Sequence, residues 1–592
     1  MARSGREMRG EAWVRGVLVL VPLLVFTRAL PFDFVRSWDD GRFILDNTDV
    51  QKPSWQALGR MFSRVQFEAY HPLHLVSYWL DVPWITASGA ELASHAWVLH
   101  TVSLVLWIAA LWQVFAVARA LAVPEWAALA ATLACGVHPC QVEVVSWATG
   151  RKDVLALLFV ASSLRLQLTA ASTSSTSSTW SPRAHGARAL YVAALLSKTT
   201  ALPLPLFGLC LDVLVRKRRL REALLWQLPS LLIAAATSAL VITIWDDHAM
   251  LRQTVGGSES ALVRISQTLG HQLASALWPS ASSPLYATHS ITHWAGLRTT
   301  LCLGYLGACV LAAATRRGLL LAGLLGFGVF LAPAANVVPM YFPLQDRYAS
   351  LPIFALSLAA ADLLAAASVR RWQLQAAAAA AVLVLGARTW QYSGEWQNEP
   401  RLWGHAVSTQ PDADYAYLKL GEARRDAGQL EGAIKAYHAA IARDPRRVLA
   451  HAGLFEAVAR RDERIQQLAP SRARSLAQQY YQRINQPQTL PDFASQLWAS
   501  GYRRASELPL QTLLALQPRA DNNLSFAALA AIKTQRESLA RYYVHELQST
   551  PTDPLLVRVL QQPYYRVAPS LPSIARDRSV VGSHHHHTGA GH

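Results

Sequence analysis

The chain has 592 residues, of which 52% are hydrophobic and 16% are charged, and its formal net charge is +17. A soluble protein normally carries about a quarter charged residues, so this composition excludes an ordinary water-soluble globular protein. A large positive charge can indicate nucleic-acid binding, but much of the excess lies in short loops beside apolar segments, as at 216–221. We therefore expect these residues to set membrane topology and contact anionic lipid, with no nucleic-acid partner.

The long apolar segments end near residue 390, and residues 391–592 have the composition of a soluble helical protein. Since a membrane span needs about 20 apolar residues, the pattern predicts an all-α polytopic membrane bundle of about eleven spans. The predicted spans are 13–30, 96–118, 124–138, 153–168, 188–198, 200–215, 224–244, 299–315, 318–335, 348–367 and 374–390. Segment 262–280 contains Arg264, His271 and Pro279, so we interpret it as interfacial or re-entrant.

Basic residues in short loops predict the orientation of the bundle. Arg3, Arg6 and Arg9 keep the N-terminus in the cytoplasm, and the later basic loops fall on the same side. One of these loops contains the low-complexity segment 171–179, which we predict to be disordered. The loops between the remaining spans, and the tail from 391, are then outside.

An acidic pair, Asp39 and Asp40, follows the first predicted span. A carboxylate at a low-dielectric interface beside cations can act as a general base. Asp-Asp-Gly is also a common turn sequence, and on spacing alone a solvated turn is the favoured interpretation. A rival pair, Asp246 and Asp247, ranks lower because no comparable motifs accompany it.

The outer loop between the third and fourth spans is also polar, with His138, Glu143, Arg151, Lys152 and Asp153. Arg151 and Lys152 stand where the positive-inside rule disfavours them, and an outward basic pair suits a phosphate. Contact with lipid head groups is the alternative. His138 and Glu143 provide too few ligands for a metal site, so no metal is expected.

Two further motifs reach the same face of the membrane. Lys198 ends the fifth predicted span, where a lysine is energetically unfavourable. Asp346, Arg347 and Tyr348 enter the tenth span from outside. Because unrelated placements would scatter over both faces, this convergence of acids and bases predicts a functional site at the outer face.

The tail contains a tetratricopeptide-type pattern, a 34-residue helix pair with small and large residues alternating where the helices cross. With Asp414 at the first position, the matching residues are Tyr417, Leu420, Gly421, Ala433, Tyr437, Ala440 and Pro445. Trp403, Ala406 and Pro411 fit a partial repeat before it. We predict a membrane domain at 1–390, a repeat α-solenoid at 391–460, a helical extension at 461–582 and a His-rich tail or tag at 583–592. The repeats could bind peptides and proteins, or only cap the membrane part.

These motifs, in this order and followed by repeats, resemble the transmembrane and tetratricopeptide-repeat O-mannosyltransferases, relatives of the protein O-mannosyltransferases in the GT-C class. The matching segments are Trp38-Asp39-Asp40, Tyr70-His71-Pro72-Leu73, His138-Pro139 with Glu143 and Gly150-Arg151-Lys152-Asp153, Leu196-Ser197-Lys198-Thr199, and Phe342-Pro343 with Asp346-Arg347-Tyr348 and Leu351-Pro352. The resemblance covers roughly residues 13 to 447. Thr199 stands for an acidic residue of the family and Asp346 for a glutamate.

The resemblance implies transfer of one sugar, mannose, from a polyprenyl-phosphate carrier to a hydroxyl acceptor, with inversion and with neither a metal nor another cofactor. It implies that Asp39 or Asp40 removes the proton of the attacking hydroxyl, and that Arg151, Lys198 and Arg347 hold the leaving phosphate. The residues with an implied supporting role are His138, Glu143, Lys152, Asp153, Asp346 and Tyr348. The repeats would present Ser or Thr of an acceptor protein.

Three alternatives stay open at this point. The acceptor could be a lipid or surface polysaccharide, or the chain could be a non-enzymatic membrane scaffold presenting repeats. A transporter ranks lower because no internal inverted repeat is visible. The alanine- and arginine-rich composition favours a bacterial inner membrane, with the repeats in the periplasm.

Overall fold

The computed structural model describes residues 5–66, 70–86, 94–170, 181–247, 260–287, 295–338, 340, 342–468, 472–486, 489–509 and 511–512. Residue contacts divide the chain into two compact units, 1–413 and 414–592. The predicted loop 171–179, most of the predicted extension and the His-rich tail lie outside the described residues, as do the side chains of Asp246 and Asp247.

The first unit is helical wherever it has regular secondary structure in the described ranges. Its longer helices are Gly5–Phe26, Ala96–Ala120, Glu125–Gly136, Arg151–Ala170, Pro182–Ser197, Leu204–Cys210, Leu220–Asp247, Ala261–Leu277, Ala295–Ala314, Gly318–Leu331, Ser350–Ala366, Arg371–Ser393 and Glu399–Thr409. The predicted span 200–215 is broken into a short turn, the helix Leu204–Cys210 and a π-helical turn at Leu211–Val215. Pro203 and Pro205 explain the break, since proline lacks the N–H that a continuous helix requires.

Within the described ranges, four helices are long and apolar enough to cross a membrane: Ala96–Ala120, Leu220–Ile244, Gly296–Ala314 and Asp346–Ala366. The bent pair Glu125–Gly136 and Pro139–Val145 would make a fifth. The apolar helices Thr199–Val215 and Gly318–Ala334 are too short for this test. The chain is therefore an integral membrane protein, whereas the count of eleven spans and the orientation stay predictions.

The surface of these helices supports a membrane setting. Leu232, Leu303 and Val310 are 62%, 65% and 69% exposed, as expected of side chains that face lipid rather than a protein core. Between helices, small residues allow close approach. A Cβ on Gly323 would lie only 2.7 Å from the main-chain nitrogen of Ala359.

The loop after the first helix is a folded layer rather than a plain solvated turn. It contains short helices or helical turns at Gly41–Leu45, Thr48–Gln51, Trp55–Ser63, Pro72–Ser77 and Val82–Thr86. The apolar side chains between them form a buried core that includes Phe34, Phe43, Ile44, Val50, Met61, Leu75, Tyr78, Leu99 and Ala148. This core fixes the acidic pair in space.

The second unit consists, in its described part, of the helices Asp414–Asp426, Leu430–Arg443, Val448–Gln466, Arg472–Ile484 and Leu490–Ala499. Tyr437 packs between Gly421 and Gly453, because a Cβ on these glycines would lie 2.6 and 2.5 Å from its ring. A large ring against two small residues agrees with the crossing pattern read from the sequence. A tetratricopeptide solenoid, and the predicted domain boundaries, stay predictions.

Candidate functional site

The two aspartates of the acidic pair have different environments. Asp40 is fully buried, and its carboxylate accepts hydrogen bonds from the N–H of Val35 at 2.8 Å and of Thr149 at 2.9 Å. The hydroxyl of Thr149 donates a third bond at 2.5 Å. Burial raises the pKa of Asp40 to about 7, although these donors oppose the rise. Asp40 therefore ties the first loop to the loop that contains Thr149, and its oxygens are already in use.

Asp39 is available for chemistry. Its side chain is 30% exposed, and its Oδ2 lies 3.4 Å from Nζ of Lys152. Lys152 is itself 11% exposed and lies 5.2 Å from the ring centres of both Phe43 and Trp147. The lysine is thus fixed by aromatic faces with its ammonium group beside the open carboxylate.

Arg151, predicted as a phosphate ligand, has no exposed surface. Its Nη1 and Nη2 both donate to Asp81, while Nη1 also donates to the carbonyl of Ser77 at 3.2 Å and Nη2 to that of Leu99 at 2.8 Å. Its Nε donates to the hydroxyl of Ser103 at 3.0 Å. An arginine has five N–H donors, and these bonds occupy all of them. In this structure Arg151 cannot reach a phosphate; it joins the first loop to the helix Ala96–Ala120.

Asp81, the partner of Arg151, did not stand out in the sequence. Burial raises the pKa of Asp81, and the positive charge of Arg151 opposes this rise. Gly150, immediately before the arginine, permits this geometry. A Cβ at Gly150 would lie 2.5 Å from the carbonyl oxygen of Val144 and 2.6 Å from that of Glu143.

Trp147 connects the two basic groups of the site. Its fully buried indole has Lys152 at 5.2 Å and the guanidinium of Arg347 at 5.4 Å from the ring centre. Arg347 is 11% exposed and pairs through Nη1 with the buried Glu143, which also accepts the main-chain N–H of Arg347 at 3.0 Å. Glu143 therefore orients Arg347, while its supporting role in catalysis stays a prediction.

Lys198 forms an ion pair with Asp153, and both side chains are more than 90% buried. The charges of Lys198 and Lys152 both act on His71, whose pKa is lowered to about 3, first by desolvation and then by these two cations. The neutral His71 ring accepts the N–H of Thr199 at 3.4 Å through Nε2. Lys198, Lys152 and His71 therefore meet in one region, beside Thr199.

The remaining supporting residues stabilise the frame around the site. His138 accepts the N–H of Cys140 at its Nδ1 and lies 3.1 Å from the carbonyl of Ala276 at its Nε2, so both ring nitrogens are engaged. Asp346 is buried and accepts the hydroxyl of Tyr286 at 2.7 Å. Tyr348 donates to the carbonyl of Phe342 at 3.1 Å. Among the described residues no cluster of His, Cys, Asp or Glu has the geometry to hold a metal ion.

An aromatic cluster supports the segment that carries Asp39. The ring of Trp38 lies 5.1 Å from Phe342 and 5.4 Å from the buried Trp403. Trp403 also donates from Nε1 to the hydroxyl of Ser37 at 3.0 Å. Glu399, on the same helix, accepts the main-chain N–H of Ser37. The helix Glu399–Thr409 therefore holds the residues immediately before Asp39.

A curated protein with a similar sequence agrees with the resemblance read from the motifs. Over 490 residues the chain is 23% identical to a protein O-mannosyl-transferase of Caenorhabditis elegans, a match that covers 75% of this chain and 65% of that protein. Among solved structures, it resembles the Archaeoglobus fulgidus oligosaccharyltransferase with 14% identity and a TM-score of 0.36, over 71% of this chain and 58% of that one. No family model matches the chain. The predicted similarity to protein O-mannosyltransferases is confirmed, while a bacterial origin stays a prediction.

Proposed function

We propose that this relative of a protein O-mannosyl-transferase is a membrane glycosyltransferase that moves one mannose from a polyprenyl-phosphate carrier to a Ser or Thr hydroxyl of a protein. We place the reaction at the outer face of a bacterial inner membrane, with the repeats on the same side. The similarity supports the reaction class. The observation that carries the proposal is the partly exposed Asp39, whose carboxylate lies 3.4 Å from Nζ of Lys152.

Asp39 is the proposed general base. Its exposed carboxylate can take the proton of the acceptor hydroxyl as that oxygen attacks the anomeric carbon of the sugar. The new bond joins the acceptor oxygen to this carbon, and the bond from the carbon to the phosphate oxygen breaks. In-line displacement inverts the anomeric centre and releases polyprenyl phosphate. Asp40, with three donors on its oxygens, positions this loop and does not itself remove the proton.

The leaving phosphate needs positive charge where its own charge increases. Arg347 and Lys152 flank Trp147 and are both 11% exposed. Lys198 belongs to the same region, because its charge and that of Lys152 both lower the pKa of His71. We assign these three cations to the phosphate. Lys152 takes the place that the sequence motif had suggested for the buried Arg151.

Sugar transfer by Asp39→Asn tests the proposal directly. Membranes that contain the wild type or a variant receive radiolabelled polyprenyl-phosphate mannose, and label in protein, lipid and glycan is counted separately. General bases contribute about 10²- to 10⁴-fold, so Asp39→Asn should lower the rate by that factor. Asp33→Asn is the matched control, because Asp33 is an exposed acid of the same loop.

The fraction that becomes labelled identifies the acceptor, and the comparison of variants identifies the base. Label in protein with the wild type and with Asp33→Asn, but not with Asp39→Asn, supports the proposal. Label in a lipid other than the donor, or in glycan, keeps the transferase but replaces the acceptor. Full activity of Asp39→Asn excludes Asp39 as the base, and a folded wild type that transfers no label contradicts the proposed donor.

A further inference from the structure

The second unit contains a groove of about 570 Å³ that does not belong to the sugar-transfer site. Four arginines line it: Arg425, Arg460, Arg464 and Arg474. They come from three helices of this unit: Arg425 lies in the last turn of Asp414–Asp426, Arg460 and Arg464 lie in the second half of Val448–Gln466, and Arg474 lies in the first turn of Arg472–Ile484.

The arginines of the groove share few acids. Glu456 accepts from Arg425 at 2.9 Å and from Arg460 at 2.5 Å, and it lies 3.8 Å from Arg474. Three guanidinium groups therefore surround one carboxylate. Arg425 has a second acidic neighbour, Asp426, at 3.0 Å. Among the described residues, Arg460 and Arg474 have only the shared carboxylate of Glu456 to offset their charge.

The acid that lines the groove, Glu463, does not pair with these arginines in the described residues. Glu463 accepts the main-chain N–H of Ala473 at 2.8 Å and the hydroxyl of Tyr502 at 3.1 Å, both neutral donors. Arg464 is exposed, and none of the described residues forms an ion pair with it. The four arginines exceed Glu456, Glu463 and Asp426 by one positive charge, and Arg464 is the cation that stays open.

We infer that this groove binds an acidic peptide segment, whose carboxylates pair with Arg464 and Arg474. The guanidinium fork matches a carboxylate through two parallel hydrogen bonds, and Arg474 is 75% exposed and only distantly paired. Leu430 and Leu468 also line the groove. They offer apolar contact to a side chain between two acids, which favours a peptide over a small inorganic anion. This inference does not depend on the proposed sugar transfer.

Binding to the full-length protein in detergent tests the inference. The probe is a fluorescein-labelled hexapeptide, Glu-Leu-Glu-Asp-Leu-Glu, and its affinity is measured by fluorescence anisotropy at low and high salt. Hydrogen bonds to charged groups contribute about 1.5–3 kcal/mol, so Arg464→Glu should raise Kd about ten- to hundredfold. Raised salt should weaken the wild-type complex, because exposed charge pairs are screened.

Three controls make the test specific. Arg446→Glu makes the same change of charge at an exposed position outside the groove, and it should bind the probe like the wild type. A peptide with Gln and Asn in place of Glu and Asp should not bind. Unchanged affinity of Arg464→Glu in a protein that melts normally, or equal binding of the neutral peptide, would refute the inference. Displacement of the probe by micromolar inorganic phosphate would also refute it, because the site would then be a phosphate site.

Discussion

Replacement of Arg151 by alanine separates a structural role for this residue from the phosphate-binding role that the motif implied. The variant leaves Asp81 buried without its cation and removes the hydrogen bonds to Ser77, Leu99 and Ser103. If the role is structural, Arg151→Ala destabilises the membrane unit. If Arg151 binds the donor, the protein melts normally and only donor affinity falls.

The expected magnitude follows from the burial of the pair. Arg151 and Asp81 have 0% and 1% exposed side chains, and removal of one member of a buried pair reduces the free energy of unfolding by about 3–5 kcal/mol. Lys152→Ala is the comparison, because its partner Asp39 is 30% exposed and remains hydrated. We expect that variant to lose about 1 kcal/mol at most.

A double-mutant cycle provides the assay. Unfolding of the purified protein in a graded series of SDS in detergent is followed for Arg151→Ala, for the single variants Arg151→Met and Asp81→Leu, and for the combination of Arg151→Met with Asp81→Leu. Replacement of both charges by apolar side chains of similar volume is often nearly neutral, so the double variant should recover most of the lost stability. Its KM for the polyprenyl-phosphate sugar should stay within about twofold of the wild type. Normal unfolding of Arg151→Ala, together with a KM raised many times, would refute the structural role.

Two further predictions concern the segment that carries Asp39. The pKa of Asp40 rises from 3.8 to about 7 in the folded protein, so native Asp40 retains a proton that the unfolded chain has lost. Below about pH 4 this group contributes its full stabilisation to the folded protein. The contribution is lost as the pH rises to about 7, and the free energy of unfolding falls by about 4 kcal/mol at most. Asp40→Asn should remove this loss, and the difference between the melting curves of variant and wild type across pH 4.5–8 measures it; parallel curves would contradict the burial argument. Trp403→Phe removes the bond to Ser37 and should lower kcat about three- to tenfold, with the KM for the donor unchanged, because it loosens the support of the base rather than the phosphate contacts. The exposed Trp372→Phe is the control, and a Trp403→Phe enzyme with normal kcat, or with only its KM changed, would contradict this role.

Much of the helical framework could be predicted, because apolar runs determine it locally. The span predicted at 96–118 is the helix Ala96–Ala120, and the one predicted at 374–390 lies within Arg371–Ser393. The layer formed by the first loop was not predicted. Its short helices are stabilised by a core with residues from distant segments, including Leu99 and Ala148, and no local pattern encodes such contacts.

The motifs predicted which segments would lie near Asp39, but not the environment of each side chain. Whether Asp39 or Asp40 is open depends on Thr149, more than 100 positions away in the chain. The role of Arg151 depends on Asp81, which lies 70 positions earlier. Trp147 lies in the sequence between His138-Pro139 and Gly150-Arg151. An aromatic residue this close to predicted cations is a signal that could have suggested the contacts of Trp147 with Lys152 and Arg347.

The helix Glu399–Thr409 determines where this chain can change length. It carries the partial repeat pattern, yet it belongs to the first unit, which ends at Ala413. A protein shortened at the composition break near residue 390 would lose Glu399 and Trp403 and leave Trp38 partly uncovered. Duplication or exchange of repeats after Ala413 would preserve these contacts. Lineages that lengthen, shorten or replace the repeat array should therefore do so beyond this helix, which would be inherited together with the membrane unit.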